Sequence, residues 1–189
     1  MNLTIVGSSG FIGSNLTLDL TDDKRLNALF KITSESSRSD LEDAITNSHA
    51  VVNLAGVNRS QEDQDFFNVN VEFAKVVAQL VKDSDKCETL IYLSSIHAGR
   101  SDVYGQSKEQ GEQEIKRILD QSSKNLFIER FPGIFGKNAK PNYNSVISTF
   151  CHNLANGLEI KINDPEHKIK IAYIDDVIEH LKNLIFKEK

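Results

Sequence analysis

The sequence predicts a doubly wound α/β fold, a parallel sheet with helices on both faces. Three observations point there. Apolar, β-rich runs alternate with helical patterns as far as Pro132. Those runs are apolar throughout rather than at every second position, the mark of strands buried on both faces. A glycine-rich turn joins the first strand directly to the first helix, as in a dinucleotide-binding fold.

The elements follow in order. Leu3-Thr4-Ile5-Val6 reads as a short buried strand. Apolar residues at 11, 12, 16, 18 and 20 give a loose helical face. A second strand is expected over 27–32 and a short helix over 40–45, opened by Ser39 or Asp40 as N-cap. Residues 50–55 form a third strand. Val69, Phe73, Val76, Val77 and Leu80 share one face of a long helix over 66–82. A fourth strand at 89–94, a helix at 105–120 and a fifth strand at 126–128 complete the alternation. Beyond Pro132 the rhythm changes to a loop, a helix over 143–156, a strand over 169–173 and a last helix from Asp175. The expected division is a Rossmann-type nucleotide-binding domain over 1–135 and a smaller unit over 136–189.

Composition narrows the function classes. The 189 residues carry 22 Lys+Arg against 27 Asp+Glu, so the net charge is 22 − 27 = −5. One domain of that length with 39% hydrophobic residues can build a real core. The acidic balance argues against nucleic acid as a partner, which calls for a basic face. No apolar run approaches the roughly 18 residues of a membrane span. The N-terminal apolar stretch breaks at Gly7 and Gly10 and lacks a basic leader, so no signal peptide is expected and the cytoplasm is the expected location. Cys87 and Cys151 are too few for a disulfide framework. The five histidines, at 49, 97, 152, 167 and 180, show no metal-ligand spacing, so no metal is expected.

Gly7-Ser8-Ser9-Gly10-Phe11-Ile12-Gly13 carries the first chemical signal. Glycines at this spacing turn the chain tightly, admit a pyrophosphate and let the helix pack close to the sheet. The phosphates then face the positive end of the helix macrodipole. Gly7, Ser9, Gly10, Phe11, Ile12 and Gly13 are therefore the expected cofactor loop. At the end of the second strand, NAD recognition would call for a carboxylate on the ribose 2′-hydroxyl. The residues there are Thr33 and Ser34, with Glu35 one step late and Arg38 nearby. Ser34 and Arg38 suit a 2′-phosphate, which favours NADPH over NAD. The alternative for Arg38 is a solvated surface arginine.

The second signal is Tyr104-Gly105-Gln106-Ser107-Lys108. Tyrosine and lysine at i and i+4 lie on one helix face, where an ammonium would lower the phenol pKa from its usual value near ~10. Such a phenol exchanges a proton with a carbonyl or alcohol oxygen. Ser95, nine positions upstream at the end of the fourth strand, is placed to bond the same oxygen. Ser95, Tyr104 and Lys108 are the expected catalytic trio.

With GSSGFIG at 7–13, NLAG at 53–56, NVN at 68–70, LSS at 93–95 and YGQSK at 104–108, the chain resembles the extended short-chain dehydrogenase/reductases of the nucleotide-sugar epimerase/dehydratase type. The resemblance implies that Asn53, Leu54, Ala55 and Gly56 form a loop against the cofactor and that Asn70 supports the active site. It also implies that Lys108 touches the nicotinamide ribose and that Pro132 lies beside the nicotinamide. A narrower likeness rests on Gly56-Val57-Asn58-Arg59, YGQSKEQGE at 104–112, the stretch from Arg130 to Asp164 and AYIDDV at 172–177. These are similar to bacterial capsular-polysaccharide enzymes, in which a reductase domain is fused to a cupin in the pathway to UDP-N-acetyl-L-fucosamine. The implied reaction is NADPH-dependent reduction of a UDP-linked 4-keto-6-deoxy amino-sugar at C4. The cupin, and part of the usual substrate lobe, are expected to lie outside these 189 residues. Gly133 stands where relatives often have asparagine.

Asn58, Arg59, His97, Arg130, Lys137, Tyr143 and Asn144 are the expected substrate residues, with Arg59, Arg130, Lys137 and Lys140 as cations for the UDP diphosphate. Each is equally readable as an ordinary surface or turn residue. Cys151 reads as core, Asp175-Asp176 as charge at a helix start, and 108–117 mostly as a solvated helix face. The residues after Ser95 are Ile96 and His97 rather than an Asp-Glu pair, which favours reduction or epimerisation over dehydration. The alternatives are an epimerase of the same superfamily and a non-catalytic NAD(P)-binding sensor or interaction module. A homodimer through the helices at 66–82 and 105–120 is expected from the resemblance.

Overall fold

The computed structural model describes residues 1–162 and 164–187. Five strands, β1 (Asn2–Val6), β2 (Ala28–Ile32), β3 (Ala50–Asn53), β4 (Thr89–Ser95) and β5 (Asn125–Phe131), form one sheet in the order β2-β1-β3-β4-β5. The pairs β1–β2, β1–β3 and β3–β4 are parallel. Helices α1 (Phe11–Leu20), α2 (Arg38–Thr46), α3 (Asp63–Phe67), α4 (Ala74–Asp83) and α5 (Val103–Leu119) alternate with the strands. This is the doubly wound arrangement that the apolar runs predict.

The sheet residues have little choice but to be interior. Leu3, Ile5, Val51, Val52, Leu90 and Ile91 are fully buried. The main core gathers Val6, Ile32 and Leu90 from the sheet with Leu41 and Ile45 of α2, Val77 and Val81 of α4 and Ile115 of α5. The strand order reverses between β1 and β3, and in such sheets ligands bind outside the carboxyl ends of the strands at this point. The turns after β1 and β3 meet there, joined by Leu54 N–H donating to the Val6 carbonyl at 2.9 Å.

Two local features depart from expectation for clear reasons. The cap of α2 is Ser37, not Ser39 or Asp40. Its hydroxyl accepts from Asp40 N–H, and the Asp40 carboxylate accepts from Ser37 N–H and Oγ–H, which closes a capping box. The long helix expected over 66–82 is instead α3, a π-helical turn over Asn68–Phe73 and then α4. A π turn inserts one residue into the helical ladder and re-aims the side chains around it. Here it carries Asn70, which is fully buried. The other expected elements agree to within a few residues; β5 is longer at both ends, α5 begins two residues earlier, at Val103, and the loop expected after Pro132 contains a short strand over Gly133–Phe135.

Two compact units meet in the sequence after Arg130, inside β5. The second unit contains β6 (Gly133–Phe135), α6 (Val146–Ala155), β7 (Ile171–Tyr173) and α7 (Ile174–Phe186), with β6 and β7 parallel. α7 buries Ile174, Val177, Ile178, Leu181 and Ile185, a stripe at helical spacing. α6 buries none of its residues, so Cys151, expected in a core, is exposed.

Gly13 sets the spacing between α1 and the turn that precedes it. A Cβ there would lie 2.1 Å from the Gly7 carbonyl oxygen, a backbone atom that cannot step aside. Gly13→Ala is expected to destabilise the chain by about 3 kcal/mol, the upper range for overpacking, measured as a lowered midpoint in urea unfolding.

Candidate active site

The glycine loop is built to leave a helix end open. Gly7 has φ +83°, and a Cβ on it would meet Ala55 N at 2.8 Å, so only glycine lets the first turn approach the third. Ser8 turns inward, its N–H and Oγ–H both donating to the Ile32 carbonyl, at 3.0 and 3.1 Å. Ser9 and Gly10 are left exposed. Gly10 caps α1 without a side-chain hydrogen bond, and the first turn contains no acidic residue. The free N–H groups and the positive dipole end therefore face solvent, an arrangement that fits a pyrophosphate. Phe11 and Ile12 are half-buried on the first turn.

At the end of β2, Thr33 and Ser36 hydrogen-bond each other's segment, and Ser34 is exposed. Arg38 is exposed too, but its Nε donates to Glu42 at 2.5 Å across one helical turn. The pair is solvated on both sides, so a phosphate would compete with a weak partner.

After β3, Asn53 is buried and its Oδ1 accepts from Ala55 N–H at 3.1 Å. Its side chain shapes the loop rather than facing outward. Leu54 and Ala55 are half-buried and Gly56 is exposed. The loop is anchored by Asn70, whose Nδ2 donates to the Val57 carbonyl and to Ser107 Oγ at 2.9 and 3.0 Å, while its Oδ1 accepts from Val57 N–H at 3.0 Å. Ser107 Oγ–H donates in turn to the Tyr104 carbonyl at 2.8 Å. One amide thus ties the β3 loop to the helix that carries Tyr104.

The trio comes together at the end of β4. Ser95 is buried, and its Oγ accepts from His97 N–H at 3.1 Å, which leaves the hydroxyl proton available. Its hydroxyl acts on the Tyr104 phenol by lowering the phenol pKa. Phe66 of α3 packs edge-on against the Tyr104 ring at 6.3 Å, and the His97 ring lies 6.4 Å away. Asp102 caps α5 by accepting from Gly105 N–H at 2.8 Å. Burial pushes the phenol above its ordinary pKa, the Ser95 hydroxyl pulls it part of the way back, and the Asp102 carboxylate raises it further.

That direction corrects the expectation that Lys108 lowers it. Lys108 is only 4% exposed, and its ammonium donates to the Leu93 carbonyl at 2.7 Å and the Tyr92 hydroxyl at 3.3 Å. It also lies 4.6 Å from the centroid of the Tyr92 ring. Helical spacing puts the two side chains on one face, but the strand-end carbonyl draws the ammonium to itself. Burial brings the Lys108 pKa down to about 8, against the opposing pull of Glu112.

Arg130 is already paired. Its Nε and Nη2 grip both oxygens of Glu112, at 2.8 and 2.6 Å, so the guanidinium fork is already occupied by a carboxylate. Lys137 pairs with Asp175 at 2.8 Å within the second unit. Asn58 and Arg59 are exposed on the loop after β3. Tyr143 and Asn144 are exposed in a turn of the second unit, Lys140 is exposed, and Pro132 is half-buried between β5 and β6. Among the described residues no group of three or more His, Cys, Asp or Glu could hold a metal ion. No helix among them is long and apolar enough to cross a membrane.

Sequence reasoning missed Tyr92, Ser94 and Glu112. The signal for Glu112 was present: with Tyr104 and Lys108 it occupies i, i+4 and i+8 of one helix stripe. The mixed charge of 108–117 masked it, and that run is not simply a solvated face, since Lys108 and Glu112 are both buried.

Comparison with known proteins places these features in context. The profile of the NAD dependent epimerase/dehydratase family matches residues 3–187. A UDP-2-acetamido-2,6-beta-L-arabino-hexul-4-ose reductase of Pseudomonas aeruginosa is 34% identical over 178 residues, which are 94% of this chain and 48% of that protein. The capsular polysaccharide assembling protein CapF of Staphylococcus aureus superposes with a TM-score of 0.83 at 33% identity, covering 98% of this chain and 49% of that one. A UDP-glucuronic acid 4-epimerase from Bacillus cereus, solved with NAD, has a TM-score of 0.86 at 17% identity over all of this chain and 75% of its own, a likeness of fold. The chain spans about half the length of the curated relative it matches.

Because the fully buried Asn70 satisfies both polar groups of the half-buried Val57, Asn70→Ala is expected to cost about 2 kcal/mol in chemical denaturation, the range for lost partners of buried polar groups. Amide hydrogen exchange at Val57 should accelerate with it.

Proposed function

The chain belongs to the NAD dependent epimerase/dehydratase family, and on that premise we propose that it forms the reductase part of a nucleotide-sugar enzyme. The substrate is a UDP-linked 4-keto-6-deoxy amino-sugar and the reductant is NADPH. The observation that carries this reading is the half-buried Tyr104 phenol, whose pKa is raised by burial and partly lowered again by the Ser95 hydroxyl. A proton donor is what ketone reduction requires, whereas an epimerase must first take a proton from an alcohol. The name of the Pseudomonas relative, a hexulose reductase, supports the same direction.

The nicotinamide supplies the hydride to C4 of the sugar when bound. The open end of α1, with Ser9 and Gly10, holds the pyrophosphate, and the loop from Asn53 to Gly56 borders it. Ser34 and Arg38 receive the 2′-phosphate, with Arg38 exchanging Glu42 for it. Lys108 donates to the nicotinamide ribose. Ser95 and Tyr104 donate hydrogen bonds to the ketone oxygen, stabilising the negative charge that grows there. The proton moves from Tyr104 Oη to that oxygen as the carbon receives hydride, so the ketone becomes an alcohol. Arg59, Asn58 and His97 are the substrate contacts contributed by the first unit, with Arg59 directed at the diphosphate. Arg130 is withdrawn from that role by Glu112.

Tyr104→Phe is expected to lower kcat by roughly 10²–10⁴-fold, the usual worth of a general acid, while the nicotinamide fluorescence titration stays unchanged. Undiminished turnover would overturn the assignment. In the same titration, NADPH should bind more tightly than NADH. Arg38→Ala should cost NADPH about tenfold in Kd, about 1.4 kcal/mol, and leave NADH unaffected.

A further inference from the structure

Lys108 presents a problem that its own contacts do not solve. Its ammonium is buried, and both acceptors that it reaches, the Leu93 carbonyl and the Tyr92 hydroxyl, are neutral. A cation out of water needs a countercharge, or it gives up its proton. One turn further along α5 stands Glu112, 2% exposed in its side chain. Stacking at i and i+4 puts the carboxylate behind the lysine on the face turned to the sheet.

Glu112 is held in place from two strands. Arg130 of β5 grips both oxygens, and Ser94 of β4 donates its hydroxyl to Oε1 at 2.5 Å. Burial would push the Glu112 carboxyl up, but the hydrogen bonds of Arg130 and Ser94, with the charges of Arg130 and Lys116, hold it below the ordinary value. It therefore remains an anion beside Lys108. The groups acting on Lys108 are the Leu93 carbonyl and Tyr92 from β4 and the charge of Glu112 from α5. Those facing Glu112 are Ser94, Arg130, Lys108 and Lys116, and Arg130 also feels Glu109.

We propose that Glu112 is a positioning residue, clamped by Arg130 and Ser94, whose buried carboxylate keeps Lys108 a cation at working pH. The clamp acts through Lys108 and touches neither cofactor nor substrate. Its consequence for cofactor binding rests on the reading of Lys108 as the ribose donor given above. Because Lys108 titrates near 8, a modest loss of countercharge takes it to the neutral amine. Ser94 adds a structural link, since it adjoins Ser95 and so couples the clamp to the strand end that bears the ketone-binding hydroxyl.

The test reads Lys108 directly. The chain is labelled with [ε-13C]lysine, the Lys108 resonance is assigned by its loss in Lys108→Arg, and its pH midpoint is followed by proton–carbon correlation. A protonated group with a lowered pKa loses its charge as pH rises, so weaker support moves the midpoint down. Glu112→Gln should lower it by about one unit, the effect of removing one nearby opposite charge, and Glu112→Asp should leave it near the wild-type value. The double variant Glu112→Met/Arg130→Met replaces the pair with apolar bulk, an exchange that folds well in buried settings, and should lower the midpoint like Glu112→Gln. An unchanged midpoint in Glu112→Gln, or in the double variant if Glu112→Gln fails to fold, overturns the proposal.

NADPH titrations across the same pH range separate the two readings. Wild-type binding should weaken as pH rises through the Lys108 midpoint, with the weakening displaced to lower pH in Glu112→Gln. Absence of binding to either nicotinamide cofactor at every pH would sink the functional reading and leave the lysine midpoint to decide on Glu112. Binding whose pH dependence ignores the shifted midpoint would overturn the step from Glu112 to the cofactor.

Discussion

The ammonium of Lys108 is buried at the carboxyl end of the sheet, and much of the surrounding architecture is a response to that one desolvated charge. The Leu93 carbonyl, near the end of β4, accepts from it, and the Tyr92 hydroxyl and ring close the other side. Tyr92 Oη–H donates onward to the Asn70 carbonyl at 3.2 Å, so the π turn is drawn into the same network. Asn70 then fixes the loop after β3 and, through Ser107, the turn of α5 that bears Tyr104. In a low-dielectric interior each polar group raises the cost of leaving its neighbour unpaired, so such a network forms as a whole.

The other half of the site follows a different constraint, that of backbone proximity. The glycine loop makes no side-chain network beyond Ser8, and its shape comes from atoms too close to admit a Cβ. This makes the end of α1 an open donor surface, suited to a group that brings its own negative charge. A site made of one bare helix end and one crowded polar seam has a natural division of labour. On the proposed reading the first holds phosphate through main-chain groups, and the second does proton chemistry through side chains whose pKa values are shifted by burial.

The pKa pattern favours one direction of chemistry. Burial lifts the Tyr104 phenol and lowers the Lys108 ammonium, so both environments resist separated charge. In the proposed reaction such a phenol serves as an acid toward a ketone, where charge develops on the oxygen only when hydride arrives. Arg130, engaged by Glu112, belongs to the support of this seam rather than to the capture of phosphate.

The order of strands and helices, the glycine loop and the Ser95–Tyr104–Lys108 spacing were legible in the sequence because they are local. A buried strand declares itself in its own five residues, and a tight strand-to-helix turn in the glycines it requires. What the tertiary structure alone decided was pairing across distance. Arg130 meets Glu112 from 18 positions away, and Asn70 meets Ser107 from 37. The π turn arises where Asn70 must face inward, a demand invisible in a helical periodicity that runs through it. The direction of the Tyr104 shift was misread for the same reason: spacing along α5 placed a lysine beside the phenol, but the strand-end carbonyl of β4 determined where its ammonium went. Charge in a folded chain goes to the partner that desolvation makes most valuable, and only the assembled sheet brings that partner within reach.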